Sequence, residues 1–229
     1  MKKIFILFTL FTLQLFSQNK SGEITYSVNL GFDEGFSNAE TLKDFYEKAQ
    51  SGVKNITFSL LFNNENSLFQ MNDMISNEEI NYAKAFIEAT TAYYVNINTN
   101  NNTKQINNHL GKYLINYSEK TEWKLENESK MIGTYLCYKA TSELKVKNRK
   151  GEFKYPIIAW YCPAIPFNFG PKGYYGLPGL ILELQERNTT YGAVKIDLSK
   201  DTITINKLND GKIVTQQEFN EIVSKPPTF

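Results

Sequence analysis

Histidine and cysteine are nearly absent from this 229-residue chain: there is one histidine, His109, and there are two cysteines, Cys137 and Cys162. Zinc sites draw on clustered imidazoles and thiolates, so the supply is poor and no metal is expected. A serine triad built on His109 has no Gly-x-Ser-x-Gly elbow to supply its nucleophile. A Cys162–His109 dyad would need the thiol reduced and the two residues brought together. His109, in Asn107-Asn108-His109, reads instead as a polar turn residue. The spacing of Gly170, Gly173 and Gly176 is superficially that of a phosphate loop. Such a loop needs a helix N-terminus after it, whereas a strand-like run follows Gly179, so no cofactor is expected. Glu183 and Glu186 fall on opposite faces of that strand and do not converge as a glycosidase pair. No catalytic residue is assigned, and the reading leans away from an enzyme.

An excess of one charge sign and a long hydrophobic run are also missing. The longest apolar stretch, Ile4 to Phe16, is broken by Thr9, Thr12 and Gln14 and is too short for a bilayer span, which takes about 20 residues. Preceded by Lys2 and Lys3 and followed by Ser17, it has the layout of a cleavable secretory signal, residues 1–17. The expected mature chain, 18–229, is a single domain exported to the periplasm, the outer membrane or the exterior, with no transmembrane segment. Without Lys2 and Lys3 the 25 basic residues become 23 against 24 acidic ones, a formal charge of −1. This balance gives no electrostatic reason to expect nucleic acid as a partner. The densest basic cluster, Lys145, Lys147, Arg149 and Lys150, reads as a solvated hairpin tip.

Alternation with period two dominates the rest. Ile24, Tyr26, Val28, Leu30 and Phe32 alternate with small polar residues, as a half-buried strand does. Ile56, Phe58, Leu60 and Phe62 repeat the pattern, as do Leu180, Leu182 and Leu184. Shorter runs cover 92–98, 103–108, 112–117, 122–126, 132–147, 153–161, 192–199 and 202–208, separated by turn residues. Three helices are announced by capping boxes at Ser37/Glu40, Ser76/Glu79 and Thr215/Glu218. Their apolar stripes are Leu42, Phe45, Tyr46, Ala49; Ile80, Ala83, Ile87; and Phe219, Ile222, Val223. The predicted fold is mainly β (α+β): a large curved antiparallel sheet with about three short helices. An open half-barrel is one form of it; a closed barrel or a two-layer sandwich fits the same pattern.

Residues 156 to 179 stand apart. They hold five of the seven prolines, with Gly170, Gly173, Gly176 and Gly179. Proline fixes φ and glycine permits conformations other residues avoid, so this is a stiff, shaped loop between two strands. It carries Trp160, Tyr161, Phe167, Phe169, Pro171, Tyr174, Tyr175, Leu177 and Pro178, which form the candidate binding surface; a hydrophobic plug over one open end of the sheet is the alternative. Cys137 and Cys162 fall in strand-like segments, and a bridge between them or two separate buried thiols are both open.

Gly176-Leu177-Pro178-Gly179-Leu180-Ile181 is the hexapeptide that names the GLPGLI family. Tyr113-Leu114-Ile115, Trp123-Lys124-Leu125, Ile132-Gly133, Cys137 to Thr141, Ala159-Trp160-Tyr161, Ile165-Pro166, Gly170-Pro171 and the stretch from Lys212 to Phe219 also resemble that family's successive landmarks. The resemblance covers most of the chain and implies an exported bacterial protein of the periplasm or surface. It brings no catalytic residues with it. Where this chain has Cys162 the family often has Thr, so the resemblance places a Cys137–Cys162 bridge in a subset. The expected function is binding or assembly through the 160–179 loop, with an envelope protein as partner. The alternative is carriage of a hydrophobic ligand, a lipid or acylated peptide, inside a half-barrel; a hydrolase using carboxylates alone is the third reading.

Overall fold

The computed structural model describes residues 19–148 and 151–224. The expected signal at 1–17, and Arg149 and Lys150 of the basic cluster, lie outside these. The described strands are β1 (Ser21–Leu30), β2 (Thr57–Asn63), β3 (Asn66–Met71), β4 (Thr91–Asn96), β5 (Asn102–Asn108) and β6 (Gly111–Tyr117), then β7 (Lys124–Ile132), β8 (Tyr135–Asn148), β9 (Gly151–Cys162), β10 (Leu180–Glu186), β11 (Thr189–Ser199) and β12 (Lys212–Ile213). They form one sheet in the order β12-β6-β5-β4-β3-β2-β1-β11-β10-β9-β8-β7. Every pairing is antiparallel except β12 on β6, so the sheet is mixed rather than wholly antiparallel. The run 202–208, expected as a strand, is an irregular return that brings the chain back to lay Lys212 and Ile213 parallel to β6.

The sheet is open, and chain connectivity shows that it is also strongly curled. In a flat sheet β6 and β7 would stand ten strand spacings, about 48 Å, apart. Yet only residues 118–123 join them, and that stretch reaches at most about 25 Å. The two arms of the sheet must therefore approach each other, leaving a seam crossed by 118–123.

Inside the curl the alternation of β1 is realised: Ile24, Tyr26, Val28 and Leu30 are all buried. Tyr26, Phe58, Phe69 and Tyr191 pack together, Phe58 and Phe69 stacked at 5.0 Å and Tyr191 edge-on to both. Each fully buried large apolar side chain contributes about 1.5–3 kcal/mol, and rings packed in these geometries add to that. In β10, Leu180, Leu182 and Leu184 are wholly buried but not on one face. A bulge between Ile181 and Glu183 shifts the register, so Leu180 and Leu182 join the main core, while Ile181 and Leu184 join a second cluster with Tyr161 and Leu177.

Among the described residues four short helices decorate the sheet: α1 (Glu34–Ser37), α2 (Lys43–Gly52), α3 (Glu78–Phe86) and α4 (Gln216–Ser224). The Thr215/Glu218 box forms as expected, with bonds in both directions. At α3 the cap is Asn77, whose side chain accepts from Ile80 N, while Ser76 takes a bond from Lys84. At α2 there is no side-chain cap, and Ser37 closes α1 instead. A polar side chain one residue nearer the helix wins the α3 cap, a competition the spacing alone does not reveal. Ile80, Ala83 and Ile87 are buried as a stripe, whereas Leu42 and Phe45 of α2 remain substantially exposed.

Candidate functional site

The Pro/Gly segment runs into the curl between β9 and β10. Ile165, Phe167, Phe169 and Tyr175 sit in the main core, with the Phe167 ring 4.7 Å from Phe62. Backbone bonds pin it at both ends: Ile165 N to Cys162 O, Leu180 N to Ile165 O, and Ile181 N to Phe169 O. Gly179 has φ 150°, and a Cβ there would run into the Cys162 carbonyl, so this second glycine of the hexapeptide is required by close approach. Of the nine residues assigned from sequence, Tyr161, Phe167, Phe169, Pro171, Tyr175 and Leu177 are buried, Trp160 and Tyr174 half-buried and Pro178 exposed. Most of the loop's aromatic area thus fills space beneath the sheet. Its exposed positions are Pro163, Ala164, Pro166, Asn168, Gly176 and Pro178, while Lys172, Gly173 and Tyr174, at and after the 3-10 turn Pro171–Gly173, are half-buried.

That turn forms part of a cleft of about 960 Å³ at the seam. One wall is Tyr93 of β4, Lys104 of β5 and Ile115 and Tyr117 of β6; the other is Ser142 and Leu144 of β8 and Ile157 of β9. Strands from opposite arms of the sheet meet there because of the curl. The connector contributes Lys120, Thr121 and Glu122, and α4 contributes Gln216. Trp123 Nε1 donates to Tyr175 O at 2.9 Å, tying the connector to the buried loop. A smaller cavity of about 280 Å³ lies beside it, sharing Lys120 and Thr121.

At the base of the cleft is a buried charge cluster. Lys172 is held at φ 53°, a left-handed conformation that is strained for a residue other than glycine. Its ammonium pairs with Glu186 Oε1, and Tyr174 OH donates to Glu186 Oε2, so both carboxylate oxygens are engaged. The side chains of Lys172 and Glu186 are only 14% and 12% exposed. Burial by itself would raise the Glu186 carboxyl, but the adjacent Lys172 ammonium and the two hydrogen bonds hold it below the ordinary range. Burial by itself would lower Lys172, and Glu186 with the neighbouring phenols of Tyr191 and Tyr93 outweighs it, placing Lys172 well above an ordinary lysine. Burial pushes the Tyr93 phenol up to about 12, and Tyr117 and Tyr174 higher still. At neutral pH the cluster is therefore an ion pair ringed by neutral phenols. Gly173, at φ 74°, lets the backbone lie against the Tyr117 hydroxyl, where a Cβ would collide.

Sequence reasoning misses Lys172 and Glu186 as site residues, although Lys172 lies in the Pro/Gly loop and Glu186 stands out there only beside Glu183. Their sole sequence signal is a lysine among prolines and glycines at a turn. Glu183 has a separate partner, Lys130, at 2.8 Å, and the same ammonium lies 4.4 Å from the Trp160 ring centroid. His109 sits exposed in the β5–β6 turn.

Cys137 and Cys162 are brought together but not bonded. The β8–β9 register pairs Tyr138 with Tyr161, and one further step sets the two cysteines face to face. Both are buried free thiols, so of the two open readings, a bridge or two buried thiols, the structure has the unbonded one. Buried thiols behave as small hydrophobes. Burial and the neighbouring Cys162 push the Cys137 thiol up to about 12.

A family model described as a protein of unknown function (Porph_ging) matches residues 147–183, a stretch that contains β9, the buried loop, Lys172 and the hexapeptide. No curated protein matches the chain. Among solved structures, two crystal forms of PNGF-II are similar, with TM-scores of 0.54 and 0.55 at 14% and 15% identity. Each match covers 90% of this chain and 33% of that one, so the chain spans about a third of the PNGF-II length. At that identity the likeness concerns the fold alone.

Proposed function

We propose that this chain is an exported binding protein that holds a polar ligand in the seam cleft, with the Lys172–Tyr174 turn as the part of the Pro/Gly loop that meets it. The observation that carries the proposal is the buried Lys172–Glu186–Tyr174 cluster at the base of a cleft of about 960 Å³. Burying two charges costs several kcal/mol before their attraction repays it, and left-handed Lys172 adds about 1–3 kcal/mol of strain. A desolvated ion pair on a strained turn that opens onto a cavity fits a site better than it fits a scaffold. Carriage of a lipid inside the curl has less support. The interior is filled by Tyr26, Phe58, Phe69, Phe169 and Tyr191, and the cleft mixes apolar walls such as Ile115, Leu144 and Ile157 with many charged and polar side chains. The layout of residues 1–17 supports export.

Native mass spectrometry of the chain recovered from its own cell envelope tests both halves. The expected result is envelope recovery that depends on residues 1–17, and a non-covalent small-molecule adduct lost in Ser142→Trp, which fills the cleft. An adduct that survives Ser142→Trp unchanged, or none in either protein, would overturn the cleft as the site.

A further inference from the structure

Lys104 differs from the other half-buried lysines of the described strands and of the Pro/Gly loop. Lys130, Lys139 and Lys172 each meet a carboxylate: Glu183, Glu128 and Glu186. Among the described residues the Lys104 ammonium meets the neutral Gln216 Oε1, at 2.5 Å, and no carboxylate. In the strand register Tyr93 of β4 and Ile115 of β6 lie directly across from Lys104 on either side. Neither neighbour supplies a charge. An ammonium in such a place loses hydration without gaining a counter-ion.

The surrounding charges do not complete it. Burial holds Lys104 below an ordinary lysine; Glu88 opposes this from a distance, the Lys172 ammonium adds to it, and Glu119 opposes it weakly. Glu88 and Glu119 are both exposed, where water and salt screen them. The Lys172 charge is already matched by Glu186. In the same wall the Tyr117 hydroxyl is buried and has no hydrogen-bond partner among the described residues. Buried polar groups are nearly always satisfied, so a wall that holds both an unpartnered phenol and an ammonium without a counter-ion has room in its chemistry for an acceptor. The outer rim carries both signs, Lys120 and Lys124 against Glu119 and Glu122. Selectivity for charge therefore resides at depth.

We infer that the cleft takes its ligand by an oxyanion, the oxygens of a phosphate or carboxylate group, seated on the Lys104 ammonium of the wall that also carries Tyr117. This rests on the cleft being the binding site. Such an anion gives Lys104 the charge-assisted partner it lacks and leaves the Lys172–Glu186 pair undisturbed.

The test titrates inorganic phosphate into the full chain while following lysine side-chain resonances by NMR, in wild type, Lys104→Met and Lys104→Arg. The expected result is a saturable shift at Lys104 and at the cleft-lining Lys172 in wild type; the Lys172 signal, present in all three proteins, should report affinity about tenfold or more weaker in Lys104→Met and largely restored in Lys104→Arg. Lys104→Met should melt no lower than wild type, because it removes a partly desolvated ammonium that has no counter-ion among the described residues, and this separates lost binding from lost folding. Vesicles containing phosphatidylglycerol form the second arm. A shift at Lys104 with vesicles at lower phosphate concentration than with the free ion supports the inference and assigns a lipid headgroup; a shift with the free ion alone supports it and assigns a small oxyanion. No saturable shift at Lys104 with either probe overturns it. A native adduct displaced by Ser142→Trp but bound equally by Lys104→Met would also overturn it, while leaving the cleft reading standing.

Discussion

Glu183 and Glu186 lie three residues apart on β10, and each pairs with a lysine, yet the two pairs are different kinds of object. Glu183 and Lys130 are 29% and 35% exposed, and the ammonium also rests over the Trp160 ring. Water solvates both partners, so the pair is worth little to stability. Glu186 and Lys172 are 12% and 14% exposed, a second donor occupies the carboxylate, and the lysine comes from a strained turn inside the curl. The same two residue types are a surface contact on one face of the strand and the base of a cleft on the other. The bulge after Ile181 and the curl of the sheet make that difference, because they determine which end of the strand faces the seam.

The comparison breaks most sharply on removal of each carboxylate. Glu186→Ala should cost about 3–5 kcal/mol in urea unfolding, since it strands Lys172 uncompensated. Glu183→Ala should cost about 1 kcal/mol or less. Equal losses would abolish the distinction. Next comes Gly179→Ala, which drives a Cβ into the Cys162 carbonyl and should cost roughly 2–3 kcal/mol by loosening the loop that delivers Lys172. A midpoint unchanged in the same unfolding assay would show that the turn is held some other way.

A pH series sharpens it further. The folded Glu186 pKa lies below its ordinary 4.5, so the stability it contributes is present above that pH and lost as pH falls through the folded value. The folded Lys172 pKa lies well above its ordinary 10.5, so its contribution is present below that and lost as pH rises through the folded value. Every tenfold change in proton affinity between the unfolded and folded chain corresponds to about 1.4 kcal/mol. Glu186→Gln should flatten the acid limb, and Glu183→Gln should leave it in place. The smallest expected effect is at the thiols. Cys137 senses Lys130 and Glu183 but is fully buried. Native alkylation at mildly alkaline pH, read by mass spectrometry, should modify neither cysteine in wild type or in Glu183→Ala, and both only after unfolding. Rapid labelling in Glu183→Ala would show that this pair also seals the core.

Much of the β-structure was legible because it follows from local alternation, as in β1, where every second side chain must leave water. β3 was not, since Asn66-Ser67-Leu68-Phe69 starts with two polar residues and has too few alternations to stand out. The run at 202–208 alternates without pairing as a strand; Asn63 instead bonds the Ile203 carbonyl. The buried loop was recognisable as stiff from its prolines and glycines, but which of its rings face inward depends on what lies across from them. The cleft was illegible, because Lys104, Lys172 and Gln216 are far apart in sequence and converge only when the arms of the sheet meet.

The sequence by itself determined a mainly β chain with one stiff Pro/Gly/aromatic insertion, few residues suited to metal or nucleophilic chemistry and a near-neutral charge, since these are properties of composition and of period. Tertiary structure decided the curl, the burial of the insertion's rings, the facing but unbonded cysteines and the seam cleft with its ion pair. Those depend on strand order, on the short 118–123 connector and on a one-residue bulge, and each acts across distances that no local pattern encodes.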